Sequence, residues 1–537
     1  MMMDKQLNIA DILEYAALYS KDAEIVTRQV EGGWHRYGYA DALRRSKQLA
    51  NALQSLGVQQ GQRVASLAWN TYRHLEVYYA VSGMGAVTHT INPRLFAEQI
   101  IYIVRHAEDQ YVFVDLTFVP LLEAIAPQIT AVKGFVLMTD AAHMPTSSLP
   151  NLLCYEDLLA AHSETFEWPE FDEKTAAGLC YTSGTTGDPK GVLYSHRSTV
   201  LHAISACRSS ALDLGPLSRV LPVVPMFHVC AWGIPYAAPI AGASILFPGA
   251  GMDGASLYEL ITTEQATSLL GVPTVWLGLL NYIESIDGHL DTVNSVVIGG
   301  AAAPRSMLEK FSEIYNVFPI HAWGMTEMSP MGSLCAMTPY LQGADREARL
   351  RLQSKQGRPV YGVEMRIVDD ADRPLPHDGK TFGHLLVRGP WIASGYYRSA
   401  DDSAFRDGWF DTGDVSTIDS DGYMQIVDRS KDVIKSGGEW ISSIELENLA
   451  LGHKAVAEAC VVGLPHSKWD ERPLLLIVCK QGAVCSKEDI IAFMADKVAS
   501  WWLPDDVLFV ESLPHTATGK LLKTEIRARY DTHYLLG

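Results

Sequence analysis

The sequence predicts an α/β fold with a largely parallel sheet, divided between a large multi-lobed part and a smaller one. Two observations carry this reading. The chain has 537 residues, more than the roughly 250 to 300 at which a single hydrophobic core stops growing. Through its first third, short apolar runs of strand character alternate with stretches of helical spacing, the pattern of helices laid on parallel strands.

Taken in order, Leu43, Leu49, Ala50, Leu53 and Leu56 fall at amphipathic-helix spacing within the stretch from Ile9 to Leu56, and Gly57 ends it. Arg63 to Ala68 reads as a buried strand, and Gly83 to Val87 and Tyr111 to Val114 continue the alternation. Ala141 to Ser148, small residues broken by a proline, reads as a surface loop. The apolar run Ala176 to Cys180 then leads into Tyr181-Thr182-Ser183-Gly184-Thr185-Thr186-Gly187-Asp188-Pro189-Lys190-Gly191. Glycines let a backbone aim its N–H groups at one anion, hydroxyls add donors, and a lysine adds a point charge. The stretch is not a Walker loop, because Asp188 and Pro189 separate Gly187 from Lys190. On its residues alone it is either an anion-holding loop or a plain turn.

Val220 to Met252 contains no Asp, Glu, Lys or Arg. Prolines 222, 225, 235, 239 and 248 argue against a continuous spanning helix, so the segment reads as core around a ligand. Within it, a helical Pro225 to Trp232 would set His228 and Trp232 one turn apart on one face. The residues allow either a core helix with a hydrogen-bonded histidine or a pocket wall. Val296 to Pro304 reads as a strand ending in a small-residue turn, followed by Ala322-Trp323-Gly324-Met325-Thr326-Glu327, Gly389 to Tyr397 and Gly408 to Asp414. Asp428 to Glu439 is a charged, glycine-containing linker between two globular parts. Beyond it, Glu445 and Glu447 begin a helix, Cys460 to Val462 and Leu474 to Val478 read as strands, and Leu513-Pro514-His515-Thr516-Ala517-Thr518-Gly519-Lys520 reads as a loop.

With 62 acidic and 43 basic residues the net charge is −19, which repels nucleic acid and anionic membrane surfaces. The eight cysteines are scattered with no C-x-x-C pair, so neither a zinc site nor a disulfide framework is expected, and a reducing, cytoplasmic setting fits. The N-terminus lacks the basic-then-apolar build of a secretory signal.

From Tyr181 to Lys520 these motifs, in this order, resemble the adenylate-forming enzymes, the superfamily of acyl-CoA synthetases, peptide-synthetase adenylation domains and beetle luciferases. The resemblance implies a large N-terminal AMP- and acyl-binding domain over 1–430 and a small mobile α+β C-terminal domain over 431–537, pivoting near Lys431. It implies ATP, Mg²⁺ and coenzyme A as reactants. Thr182, Ser183, Gly184, Thr185, Thr186, Gly187 and Lys190 would hold the β- and γ-phosphates, with Thr185 and Glu327 near the metal. Gly300, Ala301 and Ala302 would border the purine, on which Trp323 stacks beside Gly324 and Met325. Thr326 would donate to the α-phosphate, and Asp414 and Arg429 would take the ribose. Trp323 stands where the family's motif has tyrosine, which keeps the stacking and loses a hydroxyl. Lys520 would reach back into the adenylation site. Gly437 and Gly438 would line the pantetheine channel, with Lys435 near a phosphate.

His228, Trp232, Gly300, Met325 and Trp391 would line the acyl pocket, Trp391 being readable equally as a core aromatic. No aspartate lies between Val220 and Met252 to pair an amino acid's ammonium group, which disfavours a free α-amino acid substrate. Within the superfamily the chain looks most like the bacterial 3-(methylthio)propionyl-CoA ligases of dimethylsulfoniopropionate breakdown, a branch of the fatty acyl-CoA synthetases in which a homodimer is usual. A general medium- or long-chain fatty acyl-CoA synthetase is the alternative, followed by a stand-alone adenylation or luciferase-like enzyme.

Overall fold

The apolar runs become strands of two large sheets. In the first, of seven strands, the order is Leu152–Cys154, Gly134–Leu137, Asp109–Val114, Arg63–Leu67, Val87–Thr90, Ala176–Tyr181 and Gly191–Ser195. Neighbours are parallel up to the last strand, which returns antiparallel. A nine-stranded sheet runs Arg358–Pro359, Met331–Leu334, Phe318–Gly324, Ser295–Ile298, Ser268–Gly271, Arg219–Pro222, Ser244–Phe247, Glu24–Arg28 and Trp34–Gly38, with six parallel strands between antiparallel edges. Parallel strands covered on both faces are continuous apolar runs, and Val112, Phe113, Leu246 and Ile298 are all fully buried.

The computed structural model describes residues 1–182, 188–401, 403–437, 439–515 and 521–535, the side chain of residue 439 excepted. Ser183, Gly184, Thr185, Thr186, Gly187, Gly438 and Lys520 lie outside the described residues.

The N-terminal stretch is more divided than a single helix. Its helix is Tyr39–Ser55, and Gly57 takes φ 79° just beyond; ahead of it come a helix Ile9–Tyr19 and the paired strands Glu24–Arg28 and Trp34–Gly38. Among the described residues no helix is long and apolar enough to cross a membrane. The uncharged segment is folded as strands and short helices inside the core.

Two five-stranded sheets follow. One is wholly antiparallel and includes Glu364–Val368, Gly383–Arg388, Trp409–Ile418 and Met424–Arg429. The other begins at Ile434–Ser436 and is built on the long hairpin of Val456–His466 and Asp470–Cys479, with Asp506–Phe509 added parallel. Its helix Ser443–Leu451 is capped by the Ser442 hydroxyl, which accepts from Glu445 N–H. The same hydroxyl donates to Val427 O, and Ser443 N–H donates to Asp428 Oδ2 at 2.6 Å. These bonds join the last sheet to the one before it. The Lys523–Glu447 ion pair, 2.8 Å long and nearly buried, lies alongside.

Candidate active site

In open α/β sheets ligands bind outside the carboxyl ends of parallel strands. Three such ends matter here: Tyr181, leading into the glycine-rich loop; Ile298, leading into Gly299-Gly300; and Gly324, leading into Met325-Thr326-Glu327.

The neck of the glycine-rich loop is closed by two bonds. Thr182 N–H donates to Lys190 O at 2.9 Å, and Lys190 N–H donates to Thr182 Oγ1 at 3.2 Å. Below the neck the flanking strands are in register at Tyr181 and Gly191. The Lys190 ammonium meets Asp401 at 2.8 Å and stands 4.8 Å from the centre of the Tyr396 ring. The Lys190 hydrogen bond first, then those of Ser403, hold the Asp401 carboxyl well below the usual carboxylate range.

Tyr396 joins this lysine to the next motif. Its hydroxyl donates to Glu327 Oε1 at 2.8 Å. Burial, then the Glu327 charge, raise the Tyr396 phenol, so it keeps its proton as the donor. Glu327 is 5% exposed, and its carbonyl accepts from Ala393 N–H at 2.7 Å. Thr326, also buried, has its carbonyl held by the Tyr194 hydroxyl at 2.6 Å. Residues 190, 326, 327, 396 and 401 therefore meet in one place. Tyr396 and Asp401 were not readable as site residues: Gly395-Tyr396-Tyr397 belongs to a recognisable motif, but nothing in its spacing names a partner, and Asp401 is a surface aspartate in a run of polar residues.

The residues expected to take the ribose, Asp414 and Arg429, sit on adjacent strands. Asp414 and Arg429 are directly opposed across the antiparallel pair, with Arg429 Nε 2.9 Å from Asp414 Oδ1. Trp323 Nε1 donates to Asp414 Oδ2 at 3.0 Å. Asp-Thr-Gly-Asp, a turn sequence when read alone, here lies within the strand Trp409–Ile418, with Gly413 at φ 68° marking the irregularity. Gly300 takes φ 81° at the turn after Ile298, and Ala301 beside it is exposed.

The apolar side departs most from expectation. Val229, Cys230, Ala231 and Trp232 are a left-handed turn with φ of 47°, 51°, 47° and 55°. His228, at φ −118° and ψ 107°, lies outside it. The one-face relation that a right-handed helix would give His228 and Trp232 does not hold. A left-handed conformation costs about 1–2 kcal/mol for each non-glycine residue, so the surroundings must hold it. His228 N–H and Ala231 N–H both donate to Pro225 O, at 3.0 and 3.2 Å, and Val229, Cys230 and Ala231 are buried. Gly233 ends the turn at φ 79°, where a Cβ would lie 2.6 Å from the His202 ring.

The turn presses the Trp232 indole against the neighbouring strand end, within 2.9 Å of where a Cβ on Gly299 would stand. Met226, Cys230, Met328 and Met331 belong to one buried cluster, with Trp232, Trp323 and Met325 packed on it. Trp391, 4% exposed, is in the same cluster and donates through Nε1 to Met331 O at 3.0 Å. Cys180 and Cys230 approach to 3.9 Å between sulfurs, linking the strand before the glycine-rich loop to this turn.

Of the residues expected near the hinge and CoA channel, Lys431, Lys435 and Gly437 are exposed. Lys431 follows the strand Met424–Arg429, and Lys435 lies in Ile434–Ser436 with its N–H on Glu471. Gly437 at φ 60° donates to Trp469 O at 2.9 Å.

Residues 13–397 match the AMP-binding enzyme family and 445–520 match the AMP-binding enzyme C-terminal domain. The chain belongs to the AMP-binding enzyme family. This AMP-binding enzyme is 48% identical over 529 residues to 3-methylmercaptopropionyl-CoA ligase of Ruegeria lacuscaerulensis, covering 98% of each chain. It is also 48% identical over 531 residues to a medium-chain-fatty-acid–CoA ligase of Ectopseudomonas oleovorans, covering 98% of this chain and 97% of that one. Its fold matches an anthranilate CoA ligase in complex with anthranoyl-AMP, with a TM-score of 0.86, 26% identity and 99% of both chains covered.

Proposed function

We propose that this AMP-binding enzyme is an AMP-forming acyl-CoA ligase for a short or medium-chain carboxylate, with 3-(methylthio)propionate as its substrate. The observation that carries the reading is the meeting of Lys190, Glu327 and Tyr396 on one side and Trp323, Asp414 and Arg429 on the other, where the end of the parallel strand Phe318–Gly324 meets the antiparallel pair Trp409–Ile418 and Met424–Arg429. The near-full-length identity to two acyl-CoA ligases supports it.

The first half-reaction joins a carboxylate oxygen to the α-phosphorus of ATP and breaks the bond to pyrophosphate. It brings two anions together, and in a water-poor site fixed cations and N–H dipoles offset their repulsion far better than water does. Lys190 and the loop beside it take the departing phosphates. Thr326 donates to the α-phosphate, Asp414 and Arg429 hold the ribose, and Lys520 approaches the reacting oxygens. Glu327 fits a magnesium ion in the manner usual for that metal, one or two carboxylates together with substrate phosphates; when bound, the ion supplies positive charge to the phosphate oxygens. In the second half-reaction the CoA thiol attacks the acyl carbon and AMP leaves. Rotation of residues 431–537 about Lys431 clears the way for the thiol, along a channel bordered by Gly437 and Gly438.

Trp232 across the Gly299 strand end shortens the acyl pocket, and methionine neighbours suit a thioether. Six-carbon acids fit nearly as well, since one methylene discriminates by only about 1–3 kcal/mol, and the medium-chain relative favours them as the second reading. A homodimer in the cytoplasm completes the proposal. CoA-dependent thioester formation over 3-(methylthio)propionate, butyrate, hexanoate, palmitate and benzoate tests the substrate: the expected order places 3-(methylthio)propionate and butyrate first. A preference for palmitate overturns the short pocket and leaves a general fatty acyl-CoA ligase.

A further inference from the structure

Trp323 and Asp414 are 91 positions apart and on different sheets, yet the indole N–H reaches the carboxylate at 3.0 Å. The Trp323 ring has little choice of position. A Cβ on Gly332, on the strand paired beside it, would stand 2.6 Å from two atoms of the ring and 2.7 Å from the Met328 methyl. Only glycine at 332 lets the indole lie flat against the backbone. Asp414 is 2% exposed, and its other oxygen takes Arg429 Nε at 2.9 Å. With Trp323 Nε1 on one oxygen and Arg429 Nε on the other, the plane of the carboxylate is fixed. A carboxylate offers about four acceptor sites, so both bonds are compatible with hydroxyl donors approaching the same group.

We propose that Trp323 is a positioning residue: its indole N–H orients the Asp414 carboxylate for the two ribose hydroxyls, while its ring serves the base. The inference deepens the reading of Asp414 as the ribose acceptor and rests on it. Tyrosine at this position would stack on a base too, but its only donor is at the far end of a six-membered ring; the indole puts a donor on its flank. The base platform and the ribose clamp are thereby one rigid unit, and a nucleotide lacking a hydroxyl loses a bond whose geometry Trp323 has set in advance.

The test is equilibrium calorimetry with AMP, 2′-deoxy-AMP and 3′-deoxy-AMP on the wild-type protein, Trp323→Phe and Trp323→Tyr. Wild type binds AMP about 10-fold more tightly than either deoxynucleotide, the scale of a hydrogen bond to a charged group. In both variants AMP binding weakens by about 10-fold and the preference over the deoxynucleotides falls to about 3-fold or less. Loss of stacking or of general packing weakens all three ligands equally and leaves the ratio intact, so an unchanged ratio overturns the positioning role. A wild-type protein indifferent to the ribose hydroxyls overturns the Asp414 reading itself, and the inference with it. In steady state the same variants raise KM for ATP while kcat changes by less than about 2-fold.

Discussion

Tyr396 is a small case of what a sequence motif leaves unsaid. Its ring lies under the Lys190 ammonium and its hydroxyl is on Glu327, so it ties the phosphate-side cation to the carboxylate proposed for magnesium. Removing only the hydroxyl, in Tyr396→Phe, keeps the ring and takes away one bond that orients the carboxylate. The half-saturating Mg²⁺ concentration for acyl-AMP formation should rise by about 10-fold, the usual scale for losing a partner of a metal ligand, with the KM for the carboxylate unmoved. A magnesium titration of pyrophosphate release measures it, and an unchanged midpoint counts against the arrangement. The family's motifs, in order, were enough to propose Lys190, Thr326, Glu327, Asp414 and Arg429 as site residues. They were not enough to pair them: Lys190 and Tyr396 lie in loops, Glu327 follows the strand Phe318–Gly324, and Asp414 and Arg429 lie on two strands of another sheet, and the distance between such elements is a product of folding.

At the scale of elements, the strands were legible and the turn after Phe227 was not. A buried parallel strand announces itself as an apolar run, as Tyr111 to Val114 does. Val229-Cys230-Ala231-Trp232 is equally apolar, and its hand is decided by what surrounds it: Pro225 ahead, Gly233 behind and the His202 ring against Gly233. His202 is itself a measurable part of this packing. Complete burial depresses it to about 3, and its Nε2 accepts from Met331 N–H at 3.3 Å, which requires the neutral ring. Above the ordinary value of 6.5 both folded and unfolded forms are neutral and the stability is fully present. As the pH falls below it, the unfolded chain takes up a proton that the folded one refuses, so stability is lost progressively down to the folded value. Between pH 6.5 and 5 this histidine alone should cost about 2 kcal/mol. Urea unfolding of wild type and His202→Gln at both pH values isolates the effect as a difference of differences; parallel pH dependence in the two proteins would show that His202 does not titrate in this way.

For the whole molecule, the division into a large and a smaller part was legible from length and from the charged, glycine-containing stretch at 428–439. How the parts touch was not, since the contacts between Ser442 and Val427 and between Ser443 and Asp428 leave no periodic trace. If Lys431 is the pivot, Lys431→Pro fixes its φ near −65° and should spare pyrophosphate release while stopping thioester formation. Lys520→Ala should do the converse, losing about 100-fold or more in acyl-AMP formation yet transferring the acyl group from supplied acyl-AMP to CoA. Equal loss of both half-reactions in either variant would undo its assignment. Lys190 meets Asp401, and Trp323 meets Asp414, across long stretches of chain. No contiguous fragment ending before Arg429 contains the whole of the proposed nucleotide site, and none beginning after Trp323 does either. Two polypeptides divided within the exposed turn at Asp372 would each be blind to adenylate, and its binding would register their reassembly, which makes this fold a natural scaffold for a split-protein sensor.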